Sequence, residues 1–304
     1  MNYIFILFMT TMFATIPQEE LLKITYNGEQ LTTINREMYF MPIFDNAMIN
    51  HEDFNQLITT MEQKVYQKPK NAYIDENEQI IPGENGHTLD KEQFVEQFYH
   101  YFFSKDRQQI EVPVRHVYPH VDSELLANIK TKQIAQYVTY YNHNRKQRSH
   151  NIFLASEAIN NHVVFPGETF SFNQVVGERT EEKGYLPAPE IVKGELIEGI
   201  GGGICQVSST LYNAVDKIGV QMIERYSHSK HVPYVPKGRD ATVSWYGPDF
   251  SFKNTLNQPL LIRSKTKEGK MIVEVYSSDI LDYKIKSVPK ASEDYLQDEL
   301  EVNE

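Results

Sequence analysis

The residue best suited to covalent chemistry is Cys205, the one cysteine of the chain, and it follows three glycines in Gly201-Gly202-Gly203-Ile204-Cys205-Gln206-Val207-Ser208-Ser209-Thr210. Glycines let a backbone turn sharply and approach a ligand closely, because no Cβ stands in the way. Beyond the cysteine, Val207, Leu211, Ala214, Val215 and Ile218 recur at helical spacing and Gly219 supplies a stop. Cys205 is therefore expected where a glycine loop becomes a helix. The first turn of a helix carries unpaired N–H groups and a partial positive charge, which favour a thiolate and can hold an oxyanion. A lone cysteine is also commonly a small buried hydrophobe. The glycines and the helix start favour the nucleophile.

A cysteine nucleophile needs a base, and the base needs a group to orient it. The expected strand Gln221–Tyr226 runs into Ser227-His228-Ser229-Lys230-His231, so His228 is the first candidate, with His231, His162 and His143 behind it. Asp240 either holds that imidazole in one tautomer or pairs with Arg225 or Arg239 for structural reasons. The two arginines also suit the grip of a substrate carboxylate, since a guanidinium fork matches its shape. Gly202 and Gly203 would offer backbone N–H groups to an oxyanion. Ser208, Ser209 and Tyr212, on the cysteine's helix face, would line the site or merely cap the helix, and Gln206 is a further candidate to bind substrate. Other chemistries lack their parts. His228 and His231 have no accompanying H-E-x-x-H, second cysteine or carboxylate, so no metal site is expected. The triple glycine has no Gly-Lys-Ser/Thr ending for a nucleotide phosphate, and no G-x-S-x-G is present. No cofactor is expected.

The elements that position these residues read as an α+β chain. Its 304 residues suffice for two domains, with 40% hydrophobic and 23% charged residues. A net charge of −11 and the lack of any basic patch argue against nucleic acid as a partner. Residues Ile4 to Ile16 form an apolar run too short for a full membrane span, which needs about 20 residues. Residues 1–20 are expected to be a secretory signal or a short membrane anchor, so the protein is expected outside the cytoplasm. Residues 21–133 form a small N-terminal α/β module, with a hairpin at Asn27-Gly28, a helix along Phe54, Leu57, Ile58, Met61 and Val65, and a second helix begun by Asp90. Ile110 to Val117 is read as an edge strand interrupted by Pro113. Residues 134–278 form a β-rich domain with a helix from about Ser149 and the cysteine-bearing helix at its centre. The hairpin around Lys193-Gly194 delivers the chain to the glycine loop, and strands follow at Gln221–Tyr226, Ala241–Tyr246, Asp249–Lys253, Pro259–Ser264 and Met271–Tyr276. Residues 279–304 read as an acidic, disordered tail.

Several blocks together resemble the VanW-domain family: Asn151-Ile152, Val163 to Phe172, Val176-Gly177-Glu178-Arg179-Thr180, Gly184-Tyr185, Gly199 to Ala214, Glu224-Arg225, His228-Ser229, Tyr234-Val235-Pro236, Gly238 to Val243 and Gly247 to Phe250. Residues from about Glu62 to Val114 resemble a peptidoglycan-binding domain found upstream of such domains. The resemblance implies a cell-wall role with peptidoglycan stem peptides as partners. It also implies L,D-transpeptidation with Cys205 as nucleophile, and it carries the family's His-Ser and Arg-Asp pairs onto His228-Ser229 and Arg239-Asp240. The competing expectation is a non-catalytic wall-binding protein in which Cys205 is core.

Overall fold

A computed structural model describes residues 21–43, 46–104, 108–192 and 195–293. The expected export segment, the turn at Lys193-Gly194 and the last eleven residues lie outside the described residues. Contacts divide the chain into two compact units, Met1–Asn71 with Gly83–His120, and Ala72–Pro82 with Val121–Glu304. Among the described residues no helix is long and apolar enough to cross a membrane.

In the first unit β1 (Leu21–Tyr26) and β2 (Glu29–Asn35) form an antiparallel hairpin. Its turn residues Asn27 and Gly28 both have positive φ, 51° and 79°, as a two-residue hairpin turn demands. A second hairpin joins β3 (Phe40–Ile43) to β4 (Asn46–Ile49). Helix α1 (His51–Val65) is capped by the Asn50 side chain and buries Phe54, Leu57, Met61 and Val65. After β5 (Tyr73–Ile74) and β6 (Ile80–Ile81), β7 (Gly86–Leu89) leads into α2 (Lys91–Ser104), where the Asp90 carboxylate accepts from the Gln93 N–H. Phe94, Phe98, Tyr101 and Phe102 of α2 pack with the α1 stripe and with Leu22 and Ile24. The stretch expected as one interrupted strand is two strands in two sheets: β8 (Gln109–Glu111) runs parallel to β1, and β9 (Val114–Val117) pairs with β7. Pro113 between them has no N–H to continue a ladder.

The second unit takes the hairpin β5–β6 and α3 (Ser123–Ile129), so the boundary falls near Val121, not near Lys130–Gln133. Leu126 and Ile129 of α3 share a small core with Ala72, Ile74, Val163 and Leu261. The main sheet is antiparallel, in the order β10 (Lys132–Tyr140), β18 (Lys270–Ser277), β17 (Leu260–Lys267), β11 (His162–Val164). Helix α4 (Lys146–Ile159) starts three residues before the expected Ser149 and packs on β17. A smaller sheet orders β12 (Thr169–Ser171), β16 (Ser251–Lys253) and β15 (Gln221–Glu224), with α5 (Phe172–Val176) following β12. Strands β13 (Pro187–Val192) and β14 (Glu195–Ile200) form the hairpin that leads to the glycine loop.

At the centre lies α6 (Ile204–Asp216), against α4, β10 and β18. The expectation was a helix with one apolar stripe. Instead every residue from Ile204 to Val215 except Cys205 is buried. Its polar side chains are satisfied within the core: Ser208 Oγ donates to Ala241 O at 2.6 Å, Thr210 Oγ1 to Gln206 O, and Asn213 Nδ2 to Ser209 O and Arg239 O. A buried polar group left unpaired would cost about 1–3 kcal/mol, so this density of partners is what lets a polar helix sit in a core.

Two further expectations are corrected. Ala241–Tyr246 is no strand; it makes one bridge, Tyr226 to Thr242, and otherwise follows α6. Its backbone groups serve the helix, with Ala241 N–H donating to Ser209 Oγ and Val243 N–H to the Cys205 sulfur. Residues from 279 to 293 are not free of the core. Leu281 is buried, Tyr283, Val288 and Ala291 pack beside it, Lys286 N–H donates to Lys217 O, and Tyr137 Oη donates to Pro289 O.

Candidate active site

The glycine loop owes its shape to close packing. Gly201 and Gly203 have φ of +93° and +108°, where an L side chain is strained. A Cβ on Gly202 would stand 2.3 Å from Ala188 O on β13. Asn151 of α4 locks this arrangement: its Nδ2 donates to Leu186 O and Gly202 O, and its Oδ1 accepts from Leu186 N–H. Gly203 is the N-cap of α6 and brings no capping side chain. Ile204 and Gln206 N–H turn back on Gly201 and Gly203 carbonyls at 3.2 and 3.0 Å. Cys205, between them, is the second residue of the helix and keeps part of its surface open.

The sulfur faces the 240–243 segment. Val243 N–H donates to it at 3.5 Å, and as a thiol it reaches Val243 O at 3.5 Å and Thr242 Oγ1 at 3.7 Å. His228 sits after β15. Its backbone N–H and its Nδ1 both donate to Asp240 Oδ2, at 2.6 and 2.8 Å, which leaves Nε2 for the sulfur. The side chains of His228 and Asp240 are only 5% and 9% exposed, so their pairing is weakly screened.

These contacts set the charges. Burial alone would raise the Cys205 thiol, but the His228 hydrogen bond and charge, with Val243 N–H and Thr242 Oγ1, outweigh it and hold the pKa below the ordinary value. Burial alone would lower His228, but Asp240 and the sulfur push it up to about 9. Asp240, despite burial, is held at about 2 by its bonds from His228 and the backbone. The arrangement stabilises a thiolate beside an imidazolium, oriented by a carboxylate. That is the charge state a cysteine acyl-transfer nucleophile needs.

Of the two roles open to Asp240, its carboxylate is on His228, not on an arginine. Arg225 reaches only its backbone carbonyl, along with Gly238 O. Arg239 donates to Asn213 Oδ1 and to Asp216 Oδ2, each at 2.8 Å, and stacks 4.5 Å over Tyr212. Expected as carboxylate clamps, both arginines are engaged by the protein's own groups. Arg239→Met should lower thermal stability by about 1–3 kcal/mol, because Asp216 and Asn213 lose a charged partner. The rate of Cys205 alkylation should change less than twofold; a large loss of reactivity with unchanged melting would return Arg239 to the site.

Gln206, Ser208 and Ser209 likewise point into the core. Gln206 Oε1 accepts from Arg148 Nη2 at 2.8 Å and its Nε2 donates to Thr139 Oγ1 and Tyr140 O. Ser209 Oγ donates to Cys205 O at 2.6 Å. Gly202 supplies close packing. His231 and His143 are exposed, and His162 lies edge-on to Phe170 on β11, where burial lowers its pKa. Among the described residues no group of His, Cys, Asp and Glu could hold a metal.

Three residues have no role in the reading of the sequence. Thr242 and Val243 touch the sulfur because their segment leaves the sheet, which alternating apolar residues conceal. Arg179 lies in the Val176–Thr180 block, and its side chain packs against the glycine loop, with Cβ and Cγ 3.2 and 3.3 Å from a Cβ built on Gly201.

The VanW like protein family matches residues 147–276, which span α4, the glycine loop, Cys205, His228 and Asp240. The "Uncharacterized protein YoaR" of Bacillus subtilis (strain 168) is 55% identical over 275 residues, 90% of each chain. The "Vancomycin B-type resistance protein VanW" of Enterococcus faecalis (strain ATCC 700802 / V583) is 29% identical over 149 residues, 45% of this chain and 54% of that protein. No solved structure matches the chain significantly. The chain belongs to the VanW-like family, and within it to the YoaR type.

Proposed function

We propose that this protein is an extracytoplasmic cell-wall enzyme, a cysteine L,D-transpeptidase or L,D-carboxypeptidase that acts on peptidoglycan stem peptides through a thioester. The observation that carries the reading is the Cys205–His228–Asp240 arrangement at the start of α6. Membership of a family with a vancomycin-resistance protein supports the cell wall as its place of action. The Cys205 thiolate attacks the carbonyl between the third stem residue and the terminal D-alanine. A C–S bond forms, and the oxyanion is held by the Cys205 N–H at the uncapped helix start. The C–N bond then breaks, and the His228 imidazolium gives its proton to the departing D-alanine amine. The thioester passes to a side-chain amine of a second stem, giving a cross-link, or to water, giving a trimmed stem. In either case His228 takes the proton and the thiolate returns.

The test is incubation of purified protein with tetrapeptide muropeptides, read by mass. The wild-type protein should release D-alanine and give cross-linked dimers or tripeptides, and Cys205→Ala should give neither. Retention of unaltered muropeptides by both proteins would replace the enzyme with a wall-binding protein.

A further inference from the structure

Arg179 carries donors that the fold leaves without a hydrogen-bond partner. Its Nη1 and Nη2 are both closed off from solvent, and neither has a hydrogen-bond partner. The guanidinium sits 5.7 Å over the Phe172 ring, and its stem packs on Gly201, four residues before the nucleophile. The nearby Asp249 carboxylate does not answer it, because its oxygens accept from Ser171 Oγ, Asn173 N–H and Phe250 N–H. The neighbouring Glu178 accepts from Tyr246 Oη at 2.6 Å, which ties the Arg179 loop to the segment whose Val243 touches the sulfur. Arg179 thus packs on the glycine loop that leads to Cys205, with donors in a fork and no hydrogen-bond acceptor to receive them. Burial lowers its pKa, while the charges of Tyr185, Cys205 and Asp249 act the other way. A buried guanidinium without partners is costly, and a planar, bidentate acceptor removes that cost.

We propose that Arg179 binds a carboxylate of the ligand beside Cys205, namely the free α-carboxylate of the residue next beyond the attacked carbonyl. Successive residues along a peptide are about 3.8 Å apart, so an anion held at Arg179 sets the preceding carbonyl toward the sulfur. The proposal rests on the acyl-transfer reading for the identity of the ligand, and it limits the enzyme to stems that end one residue past the cleaved bond. A donor whose terminal carboxylate is amidated, or one longer by a residue, leaves Arg179 unpaired.

Two measurements on the full chain separate this from the acyl-transfer reading. The first compares alkylation of Cys205 by iodoacetate and by iodoacetamide, in which a C–S bond forms and iodide leaves. Arg179→Met keeps the packing on Gly201 and Phe172 and should lower the iodoacetate-to-iodoacetamide rate ratio by about tenfold, with Arg179→Lys between the two. Any effect on the thiol's own pKa cancels in that ratio. The second uses Cys205→Ala, in which no chemistry occurs, and measures thermal stabilisation by N-acetyl-D-alanine and by N-acetyl-D-alaninamide. The carboxylate should stabilise more, and the difference should vanish in Cys205→Ala with Arg179→Met. Asn173 Oδ1 is also buried without a partner. A water linking it to Arg179 would leave no anion site, and an unchanged alkylation ratio with equal stabilisation by acid and amide would establish that and overturn the proposal. A thiol that resists both reagents, with the carboxylate preference intact, would sink the acyl-transfer reading and leave the anion site standing.

Discussion

Replacing Asp240 by Asn should slow alkylation of Cys205 by iodoacetamide at least about tenfold at pH 7, with the protein still folded. The argument runs through His228. Asp240 accepts from Nδ1 and, together with the sulfur, raises His228 to about 9 against its burial. Without the carboxylate charge, His228 falls back toward the ordinary imidazole range and is largely neutral at pH 7. The sulfur then loses the positive charge and the hydrogen bond that offset its burial, and the thiol pKa rises. At an ordinary pKa of about 8.5 only a few per cent of a thiol is ionised at pH 7. In the wild-type protein the rate should climb on a limb below that value. In Asp240→Asn and His228→Gln the limb should move up by a unit or more. Because Cys205 is the one cysteine, labelled mass counts the reaction directly, and Cys205→Ala gives the blank. Superimposable pH profiles for wild type and both variants would show that the imidazole does not govern the sulfur.

The parts of this site were legible in the sequence to unequal degrees, for physical reasons. The glycine-to-helix transition was readable because Gly and helical periodicity are local properties. His228 was readable as a histidine beyond a strand, but its partner was not, since Asp240 is twelve residues away, adjacent to Arg239 and fifteen residues from Arg225. Only the fold decides between them. The burial of α6 was only partly legible, because its apolar residues predict one stripe and its Ser, Thr, Asn and Gln residues carry no sign of a core position. In this helix they are core, each satisfied by a backbone or side-chain partner from another element. Ala241–Tyr246 alternates like a strand yet follows the helix, because the helix side chains offer its backbone the bonds that a sheet would. Arg179 was visible only as one residue of a familiar block. What distinguishes it, the absence of a partner in a buried place, is a property of the folded chain.

The glycine loop itself makes the strongest structural prediction. Gly202→Ala should destabilise the second unit by about 1–3 kcal/mol or more, and Cys205 alkylation should fall at least about tenfold in the protein that remains folded. An added Cβ would lie 2.3 Å from Ala188 O, 2.6 Å from Ala188 C and 2.8 Å from Pro189 O. These are backbone atoms of a paired strand, so no side chain can swing aside to relieve the contact. Either β13 or the loop must move. If the loop moves, the Asn151 bond to Gly202 O lengthens, Gly203 no longer starts α6 in place, and Cys205 leaves Val243. A useful comparison is Gly28→Ala in the first unit, where φ is +79° and nothing lies within 4 Å of the added Cβ. There the cost is backbone strain alone, about 1–2 kcal/mol, and Cys205 should react as in the wild type. Thermal melting and alkylation rate, measured together on both variants, separate the two effects. If Gly202→Ala melted and reacted like the wild type, the tight seat of the loop on β13 would not be what aims the sulfur at Val243 and His228.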